Sequence, residues 1–169
     1  LRPDGLCLIN LLGGNSLFEL RAALIAAEQD VTGGFSPRFA PMADIKDVGG
    51  LLGRAGLALP VADSDRLTVT YSNMFRLMAD LRGMGEQNAM LGRLRQPTRR
   101  AVFMRAAEIY QTKFGRDDGT IPASFEIITL TGWAPHESQQ KPLRPGSGKT
   151  HLAKVIGGDS DDVGDPKKG

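Results

Sequence analysis

A chain of 169 residues with 41% hydrophobic and 24% charged side chains has the composition of an ordinary soluble globular protein and enough length to bury a core. Its net charge of +2 gives no overall electrostatic case for nucleic acid, and its single cysteine, Cys7, excludes an internal disulfide or a thiolate metal cluster and suits a reducing compartment. No apolar run approaches the ~20 residues of a membrane span, so no membrane-spanning segment is expected.

The first elements read as the middle of an α/β domain. Pro3, Asp4 and Gly5 form a turn signal, since proline presets φ and glycine supplies positive φ. Leu6 to Leu12 is a nearly unbroken apolar run, which predicts a strand covered on both faces in a parallel sheet. Gly13 and Gly14 end it. Ser16 and Glu19 are spaced as a capping box, predicting a helix from about Leu17 to Asp30. A strand this apolar needs neighbours on both sides, and position 1 is not Met, so the chain is expected to be a fragment.

Gly33 to Pro41 is a loop punctuated by two glycines and two prolines. Asp44 is placed to cap a second helix whose face carries Ile45, Val48, Leu51 and Leu52, with Gly56 as its C′ residue. Leu57 to Val61 and Arg66 to Tyr71 read as extended. Asn73 caps a short helix presenting Met74, Leu77, Met78 and Leu81, and Arg82 to Asn88 breaks the helical pattern. Thr98 is the predicted cap of a longer helix to Phe114, with Val102, Phe103, Ala106, Ile109 and Tyr110 inward and Gly115 as its stop. A turn at Asp117 to Thr120 leads into a last strand over Ala123 to Trp133. Beyond it the pattern fades: residues 136–156 read as a polar extension and 157–169 as a disordered tail.

The order strand, helix, helix, strand, helices, strand resembles the C-terminal half of a class I S-adenosylmethionine-dependent methyltransferase. The stretches GGNSLFELRAAL, GGFSPRFAP, DLRGMGEQNA, DGTIPASFEI and GWAPHESQQKP are similar to the mitochondrial complex I assembly factors of methyltransferase type and their bacterial relatives. SLFELRAAL is more distantly similar to the biotin-pathway malonyl-carrier-protein methyltransferases. The resemblance spans Leu1 to about Pro142. It implies an α/β fold with a Rossmann-like sheet in the order 3-2-1-4-5-7-6, of which residues 1–135 would hold strands five, six and seven and a helical insertion over about 72–115. It also implies a protein or carrier-protein substrate, arginine hydroxylation in the mitochondrial relative, and a cytoplasmic (bacterial) or mitochondrial-matrix (eukaryotic) location. S-adenosylmethionine is the implied cofactor. The glycine turn after strand one and the acidic residue after strand two that hold it have no counterpart here, so this chain alone is expected to lack the cofactor site, with at most an edge contact at Gly13 and Gly14.

Candidate substrate-binding residues are set by chemistry and position. Arg21 lies in the first helix just after a strand end, where it would bind an anion or serve an ion pair. Phe35 and Arg38 would shape a pocket or anchor their loop. Met84, Glu86 and Asn88, between glycines, form either a lid whose Glu86 orients a guanidinium or a solvated connection. No catalytic residue is identified. Pro145 to Thr150 imitates a phosphate-binding loop, but the first glycine of that motif is replaced by Leu143 and no strand precedes it, so Lys149 is not expected to bind nucleotide. His136 and Glu137 have only His151 as a further histidine, at no ligand spacing, and no metal site is expected. The arginines at 93, 95, 99, 100 and 105 lack the interleaved aromatics of a nucleic-acid surface. The alternative to an enzyme is a non-catalytic module that docks a partner through the inserted helices, and an unpaired strand edge is expected to cause self-association.

Overall fold

A computed structural model describes residues 1–140; the readings placed on Lys149, His151 and the tail lie outside them. Residues Leu1–His136 form one compact unit. In chain order its elements are β1 (Leu6–Leu12), α1 (Phe18–Thr32), α2 (Ile45–Arg54), β2 (Ala58–Tyr71), α3 (Met74–Gly83), α4 (Arg100–Phe114) and β3 (Ile121–Trp133). The strands form a sheet in the order β1-β3-β2, an α/β arrangement in which β3 runs antiparallel to both neighbours. The parallel pairing expected for β1 from its apolar run is not seen among the described residues, where both ladders are antiparallel, the arrangement the resemblance implies for a last strand that runs antiparallel between strands five and six. The apolar strand buried on both faces is β3, while β1 leaves Leu6, Leu8 and Ile9 exposed.

β3 organises the interior because its side chains alternate. Ile121, Ala123 and Phe125 join a cluster with α1, α3 and α4, whereas Ile128 and Leu130 join a second with Val48 and Leu52 of α2. Val48 and Leu52 are one helical turn apart, and burial of each stabilises the fold by about 1.5–3 kcal/mol. The fully buried Tyr110 donates from its hydroxyl to the Pro122 carbonyl at 2.7 Å, and burial pushes its phenol pKa up.

Several helix ends match the sequence expectation. Asp44 and Asn73 accept from the backbone N–H of Lys46 and Arg76, Gly56 adopts positive φ just past α2, and Gly115 closes α4. α1 departs from the expectation. It starts at Phe18 behind Leu17, which sits in the left-handed region at φ 53° with no side-chain cap. Ser16 and Glu19 do not form a capping box; both reach across to β3. The Ser16 hydroxyl donates to the Glu126 carbonyl at 3.1 Å and accepts from the Glu126 N–H at 3.0 Å. The buried Glu19 carboxylate accepts from the Ser124 hydroxyl at 2.6 Å and from the Ser124 N–H at 3.3 Å.

Two smaller corrections have simple causes. The two extended pieces expected over 57–61 and 66–71 are joined in one strand, β2 (Ala58–Tyr71), with a register irregularity between Ala58 and Val61, because the backbone of polar Asp63, Ser64 and Asp65 pairs with 127–129 regardless of side chain. Thr98 does not cap α4. Arg99 holds that position, and the Thr98 hydroxyl accepts from Arg38 instead.

Replacing Ser124 by Ala strips the buried Glu19 carboxylate of its hydroxyl donor and is expected to cost about 1–3 kcal/mol, read as a lowered urea midpoint. An unchanged midpoint would contradict the anchoring role assigned to this pair.

Candidate functional site

The start of α1 packs on β3 through Ser16 and Glu19, and Leu17 with Leu20 and Leu24 of the helix floors a cavity of ≈ 690 Å³. Phe39, Ala40 and Met42, from the loop after α1, form one wall; Met78, Leu81 and Phe103 of α3 and α4 form another. The segment Gly85 to Met90 closes over the top. It contains no helix or strand and bends at Gly85, whose φ of 84° suits glycine.

The loop over 33–41 is held by one buried ion pair. Arg38 donates from Nη2 to Glu28 Oε1 at 2.7 Å and from Nε to Oε2 at 3.1 Å, the two-pronged geometry that a guanidinium and a carboxylate share. Ser36 adds its N–H and hydroxyl to the same carboxylate at 3.0 and 2.8 Å. Burial pushes the Glu28 carboxyl up, but the hydrogen bonds from Arg38 and Ser36 together outweigh it and leave it below the ordinary value of 4.5. The third Arg38 nitrogen, Nη1, reaches Thr98 Oγ1 at 2.9 Å, and the Asn88 amide donates to the Pro37 carbonyl at 2.9 Å. The loop is thus tied to the covering segment through Asn88 and to the start of α4 through Thr98.

Of the residues singled out in the sequence, the cavity brings together Arg38, Glu86 and Asn88. Arg38 and Asn88 spend hydrogen-bonding groups on the scaffold. Glu86 is exposed, and its side chain has no hydrogen bond or ion pair among the described residues. Arg21 lies outside the cavity and donates to the Gly14 carbonyl. Phe35 and Met84 are also outside it, 69% and 60% exposed. No group of three or more histidine, cysteine or acidic side chains able to hold a metal occurs among the described residues.

Gly13 and Gly14 do not offer a cofactor cradle. Their N–H groups donate to the carbonyls of Glu126 and Ala43, and those of Asn15, Ser16 and Leu17 donate to Glu126 Oε2, Gly13 and Ser124. A Cβ on Gly13 would overlap the Glu126 side chain, so that glycine serves a close approach within the chain. The Asn15 N–H in turn holds the Glu126 carboxyl below its ordinary value, against a smaller upward push from burial. The described residues at this turn therefore do not fit S-adenosylmethionine, and no reaction step is derived through it.

No family model matches the chain, but curated proteins do. It is 46% identical over 158 residues to "Arginine-hydroxylase NDUFAF5, mitochondrial" of Dictyostelium discoideum, an alignment covering 93% of the chain and 36% of that protein. The human protein of the same name is 42% identical over 155 residues, covering 92% of the chain and 45% of its own length. The chain is a homologue of the NDUFAF5 arginine-hydroxylases. A more distant relationship joins it to the malonyl-[acyl-carrier protein] O-methyltransferase of Laribacter hongkongensis, 33% identical over 86% of the chain and 46% of that enzyme. The chain therefore spans less than half the length of these relatives. No helix among its described residues is long and apolar enough to cross a membrane.

Glu28 and the apolar floor escaped the sequence reading. Leu20, Leu24 and Glu28 recur every fourth residue, so a carboxylate continues the inward stripe of α1 and needs a buried partner; that was the available signal. Arg38→Ala leaves this carboxylate buried without its cation, an expected loss of about 3–5 kcal/mol, nearer the lower figure because Ser36 still donates. Because the folded pKa is lowered, the stabilisation is complete above pH 4.5 and fades as pH falls through the lowered value. Wild type and Arg38→Ala should accordingly converge in stability on acidification, measured by denaturant titration at successive pH values; a constant gap would contradict the assignment.

Proposed function

We propose that this chain supplies the substrate-binding side of a methyltransferase-fold protein that modifies an arginine of a protein partner, in respiratory complex I assembly as the sequence resemblance implies. The observation that carries this reading is the cavity between α1 and the 85–90 segment, with its apolar walls and the unpaired Glu86 carboxylate. An arginine side chain has the matching chemistry: an aliphatic stem that favours apolar walls and a guanidinium that favours a carboxylate. The homologous arginine-hydroxylases supply the reaction class. The strand order β1-β3-β2, with β3 antiparallel between the others, supports equating these strands with five, seven and six of the class I sheet.

S-adenosylmethionine enters through the methyltransferase relatives, and its binding is assigned to residues other than those described here. The names of the NDUFAF5 relatives favour a mitochondrial matrix location for a eukaryotic member, and a bacterial member would be cytoplasmic. A docking role without catalysis is favoured by one feature, the outer side of β1, which is an edge among the described residues and exposes Leu6 and Leu8. Unpaired backbone beside such side chains promotes association, so dimers or larger species are expected in sedimentation, and a clean monomer would count against this.

Binding of a peptide with one central arginine should fall about 10- to 100-fold in Glu86→Gln, the range for losing a charged hydrogen bond, measured by fluorescence anisotropy. Equal binding by the variant, or equal binding of a lysine peptide by wild type, would overturn the arginine reading.

A further inference from the structure

A second, smaller cavity of ≈ 260 Å³ opens beside the first, lined by Phe75, Met78, Ala79, Arg82 and Phe103. Met78, Arg82 and Phe103 line both cavities, so a wall of side chains is all that separates them. Phe75 and Ala79 belong to the smaller one alone. Four of its five lining residues are apolar, and Phe75 is 45% exposed at its mouth. It is too small for a cofactor-sized ligand, and among the described residues nothing fills it.

Arg82 is the one charged residue lining it, and the sequence from α3 into α4 is strongly basic in a chain that is nearly neutral overall. From Arg76 to Arg105 there are seven arginines against two carboxylates, Asp80 and Glu86. Asp80 is engaged by the Tyr71 hydroxyl, whose pKa is raised by burial first and by that carboxylate second. Arg82, Arg95, Arg99 and Arg100 have side chains with no hydrogen bond or ion pair among the described residues. Four unneutralised guanidinium groups on one stretch favour an anionic partner and oppose a basic one.

We propose that the smaller cavity is a specificity subsite for an apolar side chain of the same partner segment whose arginine enters the larger cavity, and that this segment carries acidic residues on its flanks. The proposal rests on the arginine reading above. An extended peptide projects residues i and i+2 to the same side, roughly 7 Å apart, so two of its side chains can enter adjoining cavities. Arg82, in that wall, is exposed and its guanidinium is unpaired among the described residues, so it favours a carboxylate of the segment. The charge complementarity excludes a second copy of this face as the occupant, since like arginines would meet.

The test uses short fluorescein-labelled peptides with one central arginine, acidic residues at both ends, and either leucine or alanine two positions from the arginine. The leucine peptide should bind about tenfold more tightly, the value of burying one such side chain. Ala79→Trp, which fills only the smaller cavity, should erase that leucine preference while leaving binding of the alanine peptide unchanged. Phe75→Ala, which removes a side chain lining the smaller cavity alone, should reduce the preference in a second way and guards against a folding defect in the first variant. Arg82→Gln should reduce the advantage of acidic over neutral flanks. A leucine preference that survives Ala79→Trp, or equal binding of acidic and basic flanks, would overturn the subsite. Glu86→Gln separates the two claims: arginine selectivity lost with leucine preference retained supports both, whereas retained arginine selectivity overturns the arginine reading and leaves the subsite to stand on Ala79→Trp.

Discussion

The junction between the start of α1 and the middle of β3 fixes the geometry of everything else. Ser16 and Glu19 close hydrogen bonds onto Glu126 and Ser124, residues more than a hundred positions away in sequence. Leu17 accepts a left-handed backbone so that its N–H can reach the Ser124 carbonyl. Such a conformation in a non-glycine residue costs about 1–3 kcal/mol and persists where its surroundings over-determine it. Here they do, because the same two turns of chain bury a carboxylate and seat Gly13 against Glu126. Leu17, Leu20 and Leu24 then point where the cavity needs a floor.

Electrostatically the site divides into spent and unspent groups. Glu28 and Arg38 neutralise each other under the loop, and that pair is structural even though Arg38 also lines the cavity. Breaking a buried pair costs far more than its net worth, since the surviving charge is stranded. Glu86 of the covering segment and Arg82 at the end of α3 have side chains paired with nothing among the described residues, and both line the cavity. The contrast distinguishes residues that hold the cavity from residues available to a ligand.

The sequence disclosed the elements better than the contacts. The four helices among the described residues were each expected, α2, α3 and α4 from their apolar spacing and α1 from a capping pattern that the structure does not form, and Asp44, Asn73, Gly56 and Gly115 marked ends that the structure retains. Local spacing misled at Ser16 and Glu19, whose pattern is that of a capping box. A cap is a short-range solution, and it lost to a long-range one that no single stretch of chain reveals. The same holds for Thr98, drawn away from α4 by Arg38. An apolar run told that β1 was a strand, but burial belongs to position in the sheet, and β3 took the centre. Of the site, Arg38, Glu86 and Asn88 were legible as chemistry-bearing residues in glycine-punctuated loops. The cavity floor was not, because apolar residues facing a cavity and apolar residues facing a core have the same spacing.

The six methionines offer the most direct test that the cavity is where an arginine side chain binds. Met42, Met78 and Met90 line it, while Met74, Met84 and Met104 do not. Methyl NMR of methionine-labelled protein during titration with an arginine peptide reports on all six at once. The account predicts shifts confined to Met42, Met78 and Met90. Shifts centred on Met84 or Met104, or binding that moves none of the three lining methyls, would contradict it.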